Sequence, residues 1–212
     1  MIKILSGKLA RDTIVLFIMI NLFNVLNFLY HFIIARMMTP ADYGVLVTLF
    51  SLIYIFGVPS EAIQTIYSRL TTKFIVEKKE GKINYLVKRG FQKGLAISIV
   101  LFIGLFIVSF FLSSFLRINF WLIILTNIIL FFFMLTPISR GVLQGRKKFG
   151  LFGTTLLVEA LLRLVLSVLF VYLGFKVFGA IGGVLLGVIV GFFISVFFIR
   201  DLSKKSEEKD KF

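Results

Sequence analysis

Residues 178–199 read FGAIGGVLLGVIVGFFISVFFI and contain no charged side chain. An uncharged apolar run of this length is long enough for a helix to cross the roughly 30 Å hydrocarbon core of a bilayer, at about 1.5 Å of rise per residue. Five similar runs precede it, so the sequence predicts an all-α, polytopic membrane protein with a six-helix domain over residues 1–199 and a charged tail over 200–212. The predicted spans lie at about 13–35, 43–68, 91–115, 119–139, 151–173 and 178–199.

Composition limits what else the chain does. Hydrophobic residues make up 59% of the 212 residues, and six spans leave no room for a separate soluble domain. The chain has no cysteine and one histidine, which excludes thiolate zinc sites and multi-His metal sites. It also has no DxD motif, no phosphate-binding glycine loop and no Ser/His/Asp arrangement. We therefore expect transport or scaffolding and not an enzyme, with no cofactor and no metal site.

The basic residues predict the orientation in the membrane. If the N-terminus is cytoplasmic, 20 of the 24 Lys and Arg residues fall in cytoplasmic segments, and only Arg36, Arg117 and Lys176 fall outside. By the positive-inside rule both termini are then cytoplasmic. The net charge of +14 is accordingly a topology signal, which makes anionic membrane lipid the expected partner and excludes nucleic acid.

The predicted outer connections are short, and the longest connection, Thr71–Gly90, is cytoplasmic. It continues the second span, breaks at Gly81, and then forms a basic amphipathic stretch, KINYLVKRGF (82–91), which we expect at the membrane interface. The tail SKKSEEKDKF (203–212) mixes charges of both signs and is predicted to be disordered.

Polar residues within the spans are costly and mark candidate sites. Four polar side chains of the first span fall within an arc of about 120° at 100° per residue: Asn21, Asn24, Asn27 and His31. They either hydrogen-bond neighbouring helices or line a hydrated cavity, and four groups on one face favour the cavity. The second span carries Gly57 and Pro59 beside Glu61 and Gln64, which indicates either a structural kink or a transporter site.

The fifth span places Glu159 and Arg163 at i and i+4, the favourable order for an intrahelical ion pair. The pair either neutralises itself for insertion or holds Arg163 ready for an anionic head group. We expect Asn24, Asn27, His31, Glu61 and Arg163 to face one hydrated space. In the sixth span, small residues recur at every fourth position and predict close packing on a helix of this chain or of another: Gly179, Gly183, Gly187, Gly191 and Ser195.

Three segments resemble, in order, the oligosaccharide flippases of the multidrug/oligosaccharidyl-lipid/polysaccharide (MOP) transporter superfamily. They are ARMMTPADYGVL (35–46), RGVLQGRKKFG (140–150) and VEALLRLVLSVLFVYLGFKVFGAIGG (158–183). The residues that match the family pattern are Arg36, Asp42, Tyr43, Gly44, Gly141, Gln144, Gly145, Glu159 and Arg163.

The resemblance implies the first, N-terminal six-helix lobe of a two-lobed transporter in a prokaryotic cytoplasmic membrane. Members of the family move isoprenoid-pyrophosphate-linked oligosaccharides by alternating access, so the expected partners are that lipid-linked substrate and a second six-helix lobe. The second lobe would be another copy of this chain or a separate chain. The alternatives are a drug/cation antiporter lobe of the same superfamily, or a non-transporting membrane subunit or inactive half-length fragment.

Single-cysteine labelling tests the predicted topology, because the chain has no cysteine of its own. Lys79→Cys and Lys147→Cys place thiols in segments that we expect in the cytoplasm. An impermeant thiol reagent added to intact cells should leave both variants unlabelled and should label them after the membrane is opened. Labelling of either variant in intact cells would contradict the orientation.

Overall fold

The fold is that of a computed structural model, which describes the backbone of residues 2–209 and the side chains of residue 11 and residues 13–200. Its helices are α1 (Ile2–Met37), α2 (Pro40–Ile55), α3 (Gly57–Val76), α4 (Gly81–Leu116), α5 (Phe120–Gly145), α6 (Phe149–Phe170) and α7 (Lys176–Lys209). A short π-helical segment, Val171–Phe175, joins α6 to α7. No described residue lies in a β-strand, and the all-α fold predicted from the sequence is confirmed.

Five helical stretches of the described chain are long and apolar enough to cross a membrane, and the last of them contains two crossings. That stretch, Phe149–Arg200, has 52 residues, about twice what one crossing needs. Its backbone reverses at Gly174 (φ 92°) and Lys176 (φ 46°), so α6 and α7 form an antiparallel hairpin. α2 and α3 together make one crossing, which gives six in all.

The turn between α1 and α2 is built by the segment ARMMTPADYGVL. Thr39 is the N-cap of α2, and its hydroxyl oxygen accepts a hydrogen bond from the Asp42 backbone N–H at 3.2 Å. Pro40 occupies the first helical position, where its missing N–H costs nothing. The N-cap and the proline explain why the threonine, proline and aspartate of this segment stand at the start of α2.

A kink at Phe56 divides the second crossing into α2 and α3. Pro59 has no N–H to donate to the Ile55 carbonyl, and the Phe56 N–H turns back to the Ile53 carbonyl at 3.1 Å. Ser60 lies just beyond the kink and donates to the Phe133 carbonyl of α5 at 3.3 Å. The kink therefore redirects α3 along α5.

α5 lies at the centre of the lobe, where it packs against α3, α4 and α7. Polar side chains link it to the helices on either side. Asn127 donates to the Ser109 hydroxyl of α4 at 2.8 Å, and Ser139 lies 2.6 Å from the Ser195 hydroxyl of α7. Such bonds contribute about 0.6 kcal/mol each between membrane helices, so they align the helices more than they stabilise them.

The four regularly spaced glycines of α7 lie against α6 of the same chain, and Ser195 lies against α5. A Cβ atom on Gly187 would lie 2.8 Å from the Glu159 carbonyl oxygen, and one on Gly179 would lie 2.8 Å from the Phe170 backbone. Gly183 lies against Ser167, whose hydroxyl donates to the Ala180 carbonyl of α7 at 2.8 Å. Glycine at these positions lets the two backbones approach closely.

The structure refines the sequence expectation at one connection and differs from it in the tail. The chain turns at residues 77–80, just before the break expected at Gly81, and the basic stretch 82–91 is the first part of α4. The tail expected to be disordered continues α7 as helix to Lys209. The remaining tail residues, 210–212, lie outside the described residues.

Gly187→Ala should destabilise the hairpin, because the new methyl group would meet backbone atoms that cannot rotate away. We expect a loss of about 1–3 kcal/mol in the free energy of unfolding, the usual cost of overpacking, measured as a lower thermal midpoint in detergent. Gly104→Ala is the matched control, since a Cβ there meets nothing within 4 Å and alanine favours helix. Equal midpoints for the two variants would contradict the close packing of α6 on α7.

Candidate functional site

The contact between α1 and α6 holds a charged side chain deep within the membrane-crossing part of the lobe. The Asn27 side-chain N–H₂ donates to the Phe23 carbonyl of its own helix at 3.0 Å, which directs its oxygen outward. The Arg163 guanidinium of α6 donates to that oxygen. At about 1.5 Å per residue, Arg163 lies roughly 21 Å from the start of α6 and roughly 10 Å from its end. A cation is therefore held deep in the membrane by a neutral partner.

Aromatic rings surround this cation on the α1 side. The Arg163 guanidinium carbon lies 5.9 Å from the ring centroids of both Phe23 and Tyr30, within the range of a cation–π contact. His31, the next residue along α1, contacts α2, where its Nδ1 lies 3.3 Å from the Tyr43 hydroxyl. Arg163 Nε is buried and has no hydrogen-bond partner in the described part of the chain.

Glu159 does not pair with Arg163, although the i, i+4 spacing suggested that it would. Its carboxylate instead accepts a hydrogen bond from Arg140 of α5 at 2.6 Å. Arg140 also donates to the hydroxyl and the carbonyl of Thr155, both at 3.2 Å. Arg140 is 9% exposed and Glu159 is 7% exposed, so this ion pair is buried within the bundle. The interpretation of Glu159 as the orienting partner of Arg163 is wrong.

Arg140 is the functional residue that sequence reasoning missed. It directly follows the predicted fourth span, so the sequence predicts that it lies among the cytoplasmic basic residues. α5 continues five residues past Arg140 to Gly145, which brings the guanidinium inside the bundle. The RGVLQG motif was the available signal, because it begins with this arginine.

The same motif brings α3 against α5. A Cβ atom on Gly141 would lie 2.5 Å from the Gln64 carbonyl oxygen, and one on Gly145 would lie 2.5 Å from the Ser68 carbonyl oxygen. Gln144 completes the contact, since its side-chain oxygen accepts a hydrogen bond from Gln64 at 3.2 Å. Gln64, predicted to line a cavity, is therefore bound in this helix contact.

The remaining predicted cavity residues stay on the surface of the lobe. Asn21 is exposed and donates to the Phe17 carbonyl of its own helix at 2.8 Å. Asn24 and Glu61 are exposed, and neither makes a hydrogen bond or ion pair with any described residue. The structure thus brings Asn27 and Arg163 together, and a common hydrated space for all five predicted groups stays a prediction.

The charge of Arg163 is uncompensated. Glu159 pairs with Arg140, and no carboxylate of the described chain lies within ion-pair distance of Arg163. The guanidinium has five N–H donors, and Asn27 accepts from only part of this set. The site can therefore attract and hydrogen-bond an anionic group. Among the described residues, no three His, Asp or Glu side chains are placed to hold a metal ion.

Comparison with known proteins identifies the family. The sequence profile described as polysaccharide biosynthesis protein matches residues 9–210, nearly the entire chain. The chain belongs to this family. The segments that build the α1–α2 turn, the α3–α5 contact and the α6–α7 hairpin of this polysaccharide biosynthesis family member all lie within the matched range. No curated protein sequence matches the chain significantly.

Solved structures share the fold. One is a MOP superfamily transporter from Pyrococcus furiosus, with 17% identity and a TM-score of 0.76. Another is a multidrug resistance MATE family transporter in an outward-facing conformation, with 16% identity and a TM-score of 0.78, and a third is a MATE in complex with MaD3S, with 17% identity and a TM-score of 0.77. Each similarity covers 90% of this chain and 44% of the other.

This family member therefore shares its fold with one part of these transporters, somewhat less than half of their length. The resemblance to the MOP superfamily inferred from the sequence motifs is confirmed. The chain is a multi-pass membrane protein of the polysaccharide biosynthesis family, with a fold shared by MOP superfamily transporters.

Glu159→Gln should destabilise the lobe, because it leaves Arg140 buried without a counter-charge. Removing one partner of a buried ion pair costs about 3–5 kcal/mol. We expect a markedly lower thermal midpoint in detergent, and the double variant Arg140→Gln/Glu159→Gln should recover much of the loss. Arg163→Gln is the matched control, since Arg163 has no carboxylate partner among the described residues and should lose less. A Glu159→Gln variant as stable as the unaltered protein would show that the pair does not hold α5 to α6.

Proposed function

We propose that this chain is one lobe of a flippase that moves an isoprenoid-pyrophosphate-linked oligosaccharide across a prokaryotic cytoplasmic membrane by alternating access. Three observations support the proposal: the match to the polysaccharide biosynthesis protein family, a fold shared with part of MOP transporters, and the motif resemblance to oligosaccharide flippases. The predicted orientation, with both termini in the cytoplasm, fits a substrate that is made inside the cell.

The uncompensated Arg163 is the observation that carries the choice of substrate. A pyrophosphate group crossing a water-poor cavity needs a cation and several N–H donors near mid-membrane. Arg163 provides the cation, and Asn27 orients it. The Glu159 carboxylate, four residues away on the same helix, is bound to Arg140 and therefore does not compete with an anionic substrate for Arg163. An anionic substrate is therefore favoured over a cationic one at this position.

A second lobe is part of the proposal, because the chain spans 44% of each MOP structure that it resembles. With six crossings, two copies insert in the same orientation and can be related by a twofold axis along the membrane normal. The exposed polar groups Asn24 and Glu61 suit a face that meets water or another lobe better than a face that meets lipid. Cross-linking in native membranes tests this: a lone 24 kDa species would favour a non-transporting fragment.

Glu61 favours the second candidate, a drug/cation antiporter lobe. It is an exposed carboxylate just beyond the Phe56 kink, and it has no ion-pair partner among the described residues. Such a group can exchange a proton for a cationic substrate. Proton-driven efflux of a cationic dye that depends on Glu61, without binding of an isoprenoid pyrophosphate, would favour the antiporter.

Arg163→Ala should weaken binding of farnesyl pyrophosphate, a soluble isoprenoid pyrophosphate that serves as the probe. Hydrogen bonds to a charged group contribute about 1.5–3 kcal/mol, so the dissociation constant should rise tenfold or more. The measurement is the ligand-dependent rise of the thermal midpoint of the purified protein, which follows affinity by mass action. The same variant should fail to complement a flippase-deficient strain.

Arg200→Ala is the control for charge, because it removes an exposed arginine at the cytoplasmic end of α7. It should bind the probe as the unaltered protein does. The proposed role of Arg163 fails if Arg163→Ala is expressed and folded yet binds farnesyl pyrophosphate with unchanged affinity.

A further inference from the structure

A cavity of about 600 Å³ lies between α3 and α4, away from Arg163. The two helices separate at the turn 77–80, and each then packs on α5. Gly90 allows the Tyr67 ring to lie across α4, since a Cβ at that position would be 2.8 Å from two ring carbons. Tyr67 therefore forms part of the cavity wall, and Phe74 and Leu86 add apolar surface.

Three cations line this cavity from one face of α4. Lys82, Arg89 and Lys93 fall within an arc of about 40° at 100° per residue. Arg89 is held in place by Tyr85, which accepts its hydrogen bond and lies under its guanidinium at 5.7 Å from the ring centroid. Lys88 belongs to the same helix turn and does not line the cavity.

The carboxylates near this end of the bundle pair with other cations. Glu77 accepts a hydrogen bond from Lys79 at 2.9 Å and lies 3.9 Å from Lys73, and the Lys79 hydrogen bond is the main reason that the pKa of Glu77 is lowered. Glu80 lies 4.0 Å from Arg146. None of the three cavity cations has an ion-pair partner among the described residues.

The length of α4 places the membrane end of the cavity at the level of the lipid head groups and its outer end beyond them. Its 36 residues extend about 54 Å, whereas about 20 residues cross the hydrocarbon core. Counted back from Leu116, the crossing ends near residue 97, so all the cavity residues of α4 lie outside it. With the predicted orientation, they face the inner leaflet, which carries the anionic lipids.

We propose that this cavity binds an anionic phospholipid of the inner leaflet, with its phosphate between Arg89 and Lys93, which lie about one helix turn apart at the membrane end of the cavity. The acyl chains leave the cavity at this end, where the Tyr67 ring lies against Gly90, and Lys82 adds positive charge farther out toward the cytoplasm. The bound lipid fills the space where α3 and α4 separate. The inference depends on the predicted orientation but not on the transported substrate.

Lipid retention by the full-length protein tests the proposal. Native mass spectrometry in a neutral detergent would measure binding of phosphatidylglycerol, of phosphatidylcholine with the same acyl chains, and of phosphatidylglycerol in the presence of inorganic phosphate. The site variant is Lys82→Gln/Arg89→Gln/Lys93→Gln. The control variant, Arg69→Gln/Lys88→Gln/Lys148→Gln, removes the same residue types at exposed positions that do not line the cavity.

We expect the site variant to bind phosphatidylglycerol about a hundredfold more weakly than the unaltered protein, because it removes three basic residues and each basic residue near a membrane surface contributes about 1 kcal/mol. The control variant should stay within about twofold of the unaltered protein, and phosphatidylcholine should bind weakly to all three. Equal losses in the two variants would indicate a diffuse charge effect and overturn the proposal. Displacement of the lipid by millimolar inorganic phosphate would also overturn it, because the site would then take a free anion.

Discussion

The buried ion pair between Arg140 and Glu159 is the constraint on which the centre of the lobe depends. It joins α5 to α6, and α7 lies directly over it, since a Cβ on Gly191 would be 2.8 Å from the Glu159 carboxylate. A larger residue at Gly191 would either displace the carboxylate or separate the helices. The ion pair and the close packing of α7 thus depend on each other at the point where these three helices meet.

The pairing of Arg140 with Glu159 also determines which charged groups surround Arg163. Because Glu159 pairs with Arg140, Arg163 has no carboxylate partner among the described residues and interacts with an amide and two aromatic rings. An intrahelical Glu159–Arg163 pair would have left a neutral helix surface and an unpaired Arg140 in the core. The observed pairing therefore stabilises the bundle with one pair and leaves the other cation available to a ligand.

The architecture could be predicted from the sequence because hydropathy over 20 residues is a strong signal. The small residues of α7 also predicted a close approach, although the sequence did not identify α6 as the partner. Side-chain partners could not be predicted, because a residue such as Arg140 belongs to the loop or the bundle according to where its helix ends, and that varies by several residues. Gln64 shows the same limit, since its role depends on Gln144, 80 residues away.

The separation of 19 residues between Arg140 and Glu159 has a consequence for biosynthesis. At about 5–20 residues per second, the ribosome adds Glu159 roughly one to four seconds after Arg140. During that interval Arg140 has no counter-charge, but it lies five residues before the end of α5, from where a long side chain can reach water. Burial of Arg140 within the bundle therefore depends on the arrival of the fifth span, which brings its only ion-pair partner among the described residues.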